Sequence, residues 1–224
     1  MEHNLNESKF ILFVEILLVL AFVILDAYGY AFISQTIPIL ILVSISLRLK
    51  KDKWNSIGLS RTKNFFKFLG LGLIIGILLE LVAIYITTPF ISSLFSVEPD
   101  YSSFEGIRGN RSTLIFYIVL SWALAAFGEE ICFRGYLMTR VAQLFNKGPQ
   151  AWIISLVLTS ILFGYGHTDQ GVSGWVQEGL SGLFLGILYL ATGKNLVVPI
   201  VSHGISNTLA FIMMYYGVYP GIGY

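Results

Sequence analysis

The sequence predicts an all-α, polytopic membrane protein. Three observations carry that prediction: 55% of the 224 residues are hydrophobic, only 12% are charged, and the apolar residues gather into runs separated by short polar loops. A mean hydropathy of +0.75 exceeds what a water-soluble core of this length needs, so lipid must cover the surplus. The length is that of one domain, and no internal repeat, low-complexity tract or linker divides residues 1–224.

Apolar runs mark seven spans, near residues 10–25, 31–47, 68–90, 114–131, 151–165, 176–191 and 197–216, with six or eight left open. Several are shorter than the roughly 20 residues of a standard span, so their helices extend past the apolar window or tilt against neighbours. The segment Met1–Lys9 lacks the positive region of a secretory signal, and no small-residue cleavage pattern follows the first run, which therefore reads as an uncleaved span.

Lysine and arginine set the expected orientation. The loop after the second span carries Arg48, Lys50, Lys51, Lys53, Arg61, Lys63 and Lys67 against Asp52 alone, which places it in the cytoplasm. Counting spans from there puts Lys9, Arg134, Arg140, Lys147 and Lys194 on the same side, so twelve of the fourteen basic residues agree and only Arg108 and Arg111 lie outside. The N-terminus is then cytoplasmic, and a bacterial chain of this kind belongs in the cell membrane.

Composition also excludes some functions. A net charge of +1 without a basic patch interleaved with aromatics gives no footing for nucleic acid. The single cysteine, Cys132, lies in an apolar helix, cannot form an internal disulfide and reads as a packing residue. Gly70, Gly72 and Gly76 follow no strand, so they predict close helix packing and not a nucleotide loop; Gly179, Gly182 and Gly186 read the same way.

Against this background the stretch Phe127 to Arg134 stands out, because it sets Glu129, Glu130 and Arg134 at bilayer depth. Ionisable residues there are costly and usually face a protein interior. On a helix Glu130 and Arg134 are i and i+4, a favourable ion pair, while Glu129 points away and stays free. Glu15, Glu80 and Glu178 also sit in apolar runs; lacking partners at helical spacing, they predict hydrogen bonds to neighbouring helices. Asp26 and Asp169 lie near span ends, within reach of water.

Two further segments carry polar groups: Phe163 with His167, and His203 with Asn207, each pair one helical turn apart. Lys147-Gly148-Pro149 is a helix stop followed by a proline suited to a first turn, so the fourth and fifth helices should form an antiparallel hairpin. Glu129 and His167 each stand nineteen residues from Gly148 and should be level. His203, nine residues after Lys194, lies about 14 Å along its helix, and Glu129, eleven before Arg140, about 16 Å, so the depths agree. The expectation is a polar cavity sunk below the cytoplasmic surface.

Glu129-Glu130-x-x-x-Arg134, Phe163-x-x-x-His167 and His203-x-x-x-Asn207 together resemble the three ordered motifs of the CPBP family, which contains type II CAAX prenyl endopeptidases and bacteriocin-processing and immunity proteins. The motif-bearing resemblance covers about residues 114–211. It implies an all-helical intramembrane endopeptidase of membrane-associated or lipidated peptides, its cavity open to the cytosolic side, with Glu129 as catalytic glutamate and His167 its partner in activating water. His203 and Asn207 would stabilise the oxyanion, and Arg134 would be a structural ion-pair residue with Glu130; Phe163 belongs to the same support.

A carboxylate in an apolar cavity is a better base than one in water, which suits Glu129 to this task. Alternatives remain at this point. Glu129, His167 and His203 are one possible zinc set, although no His-Glu-x-x-His motif is present and the resemblance favours chemistry without a cofactor. A binding, immunity or scaffold protein could use the same cavity without turnover, and ion paths also employ intramembrane charges. Substrate and oligomeric state are not encoded legibly.

Overall fold

The computed structural model describes residues 8–31 and 33–220; the reading of the N-terminal segment over residues 1–7 lies outside them. The described chain folds into seven helical rods and no strand: α1 (Lys9–Ala27), α2 (Thr36–Leu49), α3 (Phe65–Phe95), α4 (Arg111–Leu144), α5 (Pro149–Tyr165), α6 (Gly171–Ala191) and α7 (Val197–Tyr215). Each predicted run falls on one rod. By length and hydropathy α1, α3, α4 and α7 can each cross a membrane, α5 and α6 pass as one broken pair with axes 57° apart, and α2 is a shorter apolar helix.

Local chemistry explains where rods depart from the apolar windows. α2 starts at Thr36, later than hydropathy predicts, because Pro38 fits a first turn and the preceding Gln35 N–H is engaged by the Asp26 carboxylate at 3.4 Å. α4 runs on to Leu144, well past residue 131, because its polar residues find partners inside the protein. The α4–α5 turn follows expectation: Asn146 and Lys147 adopt positive φ, Gly148 caps α5, and Pro149 occupies its first turn.

The loops gather at two ends. At one, Leu196 N–H bonds Gly58 carbonyl at 3.1 Å and the Asn195 amide reaches Ser60. A buried charge cluster locks the same end: Glu15 bonds Ser46 at 2.6 Å and pairs with Lys50 at 2.7 Å and Arg140 at 3.2 Å. At the other end, Asp100 N–H bonds Gln170 carbonyl at 3.1 Å and Gly109 N–H bonds Tyr215 carbonyl at 3.0 Å. The basic loops therefore share one face of the bundle, as the alternation of spans requires.

Two glycines explain the closest interface. A Cβ on Gly72 would come within 2.7 Å of Val201, and one on Gly76 within 2.6 Å of the Ser202 carbonyl, so α3 and α7 pack backbone to backbone. Gly70 departs from the expectation, since nothing lies within 4 Å of it. On α6, Gly182 and Gly186 press against Phe163 and Leu156 of α5 as expected.

Both long rods change winding where they meet the interior. Ala83–Thr87 of α3 and Ser121–Leu137 of α4 are π-helical, a wider coil with i to i+5 bonding that recurs at functional sites. Ala83 and Thr87 from the first, and Ser121, Leu124, Ala125 and Glu129 from the second, front the same cavity.

Candidate active site

The cavity measures about 520 Å³ and is lined by α3, α4, α7 and the broken α5–α6 pair. Its walls hold Glu129, His167, His203 and Asn207 together, so three segments far apart in sequence do converge. Both imidazoles act electrostatically on the Glu129 carboxylate, whose Oε2 is buried without a hydrogen-bond partner.

Glu130 is fully buried and takes a different part. Its Oε1 accepts from Arg134 Nη1 at 2.9 Å, the ion pair expected from their spacing, and that pair persists in the π-helical winding. The same oxygen lies 2.9 Å from His203 Nδ1. The second histidine is thus held by Glu130 from behind, leaving its other nitrogen for the cavity.

His167 is not on α5 but just past its C-terminus, at the start of the 3₁₀ turn Thr168–Gln170. Its backbone N–H bonds Gly164 carbonyl, which frees the Phe163 carbonyl to lie 2.9 Å from His167 Nδ1. A carbonyl only accepts, so Nδ1 carries the proton and Nε2 of the neutral ring keeps a lone pair.

Phe163 organises this geometry with its ring as well. The Arg134 guanidinium lies 4.0 Å from the ring centroid, while the His167 and His203 rings stand 4.9 and 6.3 Å away. On α7, the Asn207 amide donates to Ser121 Oγ at 3.0 Å, and Trp122 Nε1 donates to Thr208 at 3.0 Å. Asn207 retains a second amide N–H for a ligand. Sequence gave no signal for Ser121, an ordinary small residue within an apolar run.

One end of the cavity is markedly polar. Asp26, Ser34, Gln35, Tyr101, Asp169 and Tyr219 line it, all at the end opposite the basic loops. The acids also divide: Glu15 belongs to the basic end, Glu80 bonds Ser206 at 2.6 Å as predicted yet also lines the cavity, and Glu178 lines it too.

As for a metal, no three His, Cys, Asp or Glu side chains among the described residues converge as a ligand set. His203 and His167 are each held at Nδ1, by the Glu130 carboxylate and the Phe163 carbonyl, which leaves both Nε2 atoms for the cavity, an orientation that serves proton handling and ligand binding alike.

Fold and site together define a polytopic membrane protein built around a buried glutamate–histidine cavity. A family model, described as "Type II CAAX prenyl endopeptidase Rce1-like", matches residues 111–209. That match falls on the motif-bearing part of the chain, the part in which the resemblance to the CPBP family lies. No curated protein and no solved structure matches the chain.

Proposed function

We propose that the protein is an intramembrane endopeptidase that hydrolyses membrane-associated or lipidated peptides with a glutamate-activated water, independently of a metal. The observation that carries this reading is a carboxylate with one buried, unpartnered oxygen facing the same cavity as two oriented imidazoles. The family match to a group of proteases supports the same reaction class.

Peptide hydrolysis needs a base, oxyanion donors and a water path. In this reading Glu129 takes a proton from water as its oxygen attacks the scissile carbonyl, and returns that proton to the departing amine. His167 Nε2, its tautomer set by Phe163, accepts the water's other hydrogen and orients it. The free N–H of Asn207 donates to the oxyanion. His203, bonded through Nδ1 to the Glu130 carboxylate, turns Nε2 toward the oxyanion and donates from it in its doubly protonated form. Loss of one oxyanion donor typically costs on the order of 10²–10³ in rate. The mouth lined by Asp26, Asp169 and Tyr219 supplies water.

A comparison of membrane proteomes from cells carrying wild-type or Glu129→Gln protein tests the proposal. A peptide or precursor that accumulates only with the variant identifies both reaction and substrate. A biological effect that survives the substitution at equal expression would instead assign the cavity to binding, immunity or scaffolding without turnover.

A further inference from the structure

Five carboxylates line the cavity, those of Asp26, Glu80, Glu129, Asp169 and Glu178, and no lysine or arginine does. Catalysis as proposed uses one of them. Asp169 is exposed and Asp26 and Glu178 are half-buried, but Glu80 is buried, and a buried carboxylate beside a second acid is unfavourable unless a cation reaches it.

Glu80 is the most telling of these. It is 5% exposed and fronts the cavity; Oε2 accepts from Ser206 at 2.6 Å, while Oε1 is buried with no hydrogen-bond partner. Glu178 acts on it electrostatically from α6. Tyr101 and Tyr219, packed edge to face at 5.4 Å, stand beside both carboxylates and line the same space.

We propose that Glu80 and Glu178 form a specificity site for a positively charged side chain of the substrate, a lysine or arginine close to the scissile bond. This rests on the endopeptidase reading and deepens it. Ser206, which holds Glu80, lies three residues beyond His203 on α7, about 4.5 Å of helix rise toward the mouth. An extended peptide advances roughly 3.3 Å per residue, so the basic side chain falls one or two residues from the attacked carbonyl. Such a peptide enters from the acidic end of the bundle.

The test uses purified full-length Glu129→Gln protein in detergent micelles and two pools of hydrophobic decapeptides, identical except that one fixed central position is lysine in one pool and norleucine in the other. The lysine pool is expected to be retained about tenfold better. That preference should vanish when Glu80→Gln and Glu178→Gln are added, and persist with Asp100→Asn in the exposed loop. Because a buried substitution can disturb folding, Glu178→Gln alone is measured as well and should weaken the preference.

Equal retention of the pools, retention of neither, or a preference untouched by both glutamine variants would overturn the cation site. Proteolysis is read separately: cleavage by wild type of a peptide lacking any basic residue, together with equal retention, sinks the cation site and leaves the hydrolase standing. Selective retention without turnover by wild type does the reverse.

Discussion

His203 Nδ1 stands 2.9 Å from Glu130 Oε1, the oxygen that Arg134 Nη1 also reaches at 2.9 Å. One buried carboxylate atom therefore ties the motif helix to itself and to α7. The second glutamate of the pair is a positioning residue: it fixes the ring whose far nitrogen faces the cavity.

Replacing Glu130 by glutamine should leave Arg134 buried beside a neutral amide. Breaking a buried ion pair typically costs about 3–5 kcal/mol, so the melting temperature in detergent should fall markedly. Activity should fall further than stability accounts for, because His203 loses its orienting acceptor. An unchanged melting temperature would contradict the assigned pairing.

Phe163→Leu removes a ring that contacts Arg134, His167 and His203 together while keeping the backbone carbonyl that fixes His167. We expect a loss of about 1–3 kcal/mol from the vanished cation–π and ring contacts, measured by thermal unfolding. Residual turnover should persist, since no proposed catalytic atom is removed.

At the basic end, Glu15→Gln should destabilise the fold on the scale of a broken buried pair, because Lys50 and Arg140 both lean on that carboxylate. Burial pushes the Lys50 ammonium below its ordinary 10.5, only partly offset by Glu15. In the window just under 10.5 the unfolded chain then binds more protons than the folded one, so Lys50 makes stability rise with pH there. Lys50→Met should abolish that rise in unfolding curves taken across alkaline pH.

Sidedness follows from the loops. In a Cys132→Ala background, Ser103→Cys and Ser34→Cys should react with an impermeant maleimide added outside intact cells, and Ser56→Cys should react only after permeabilisation. Labelling of Ser34→Cys and Ser56→Cys from the same side would contradict the placing of these two loops at opposite ends of the bundle.

The helical class was legible because lipid exposure is written directly into composition, and the Gly148–Pro149 turn because its residues dictate backbone geometry. The Glu130–Arg134 pair could be read from spacing alone. What spacing could not give was the third dimension: that His203 would settle on Glu130 and not beside Glu129, that π winding would widen α4, or that Ser121 would meet Asn207. Glu80 and Glu178 were visible as intramembrane acids, but a carboxylate that bonds a neighbouring helix and one that lines a cavity look alike in a sequence, and Glu80 does both.

The most direct test takes the peptide found by the proteome comparison and measures its cleavage by protein reconstituted in lipid vesicles, wild type against Glu129→Gln, with the thermal stability of both recorded. Loss of general-base catalysis predicts a rate lower by about 10²–10⁴ at unchanged stability, with wild-type activity insensitive to chelators. A variant that cleaves within a few-fold of wild type would remove Glu129 from the reaction and the proposed mechanism with it.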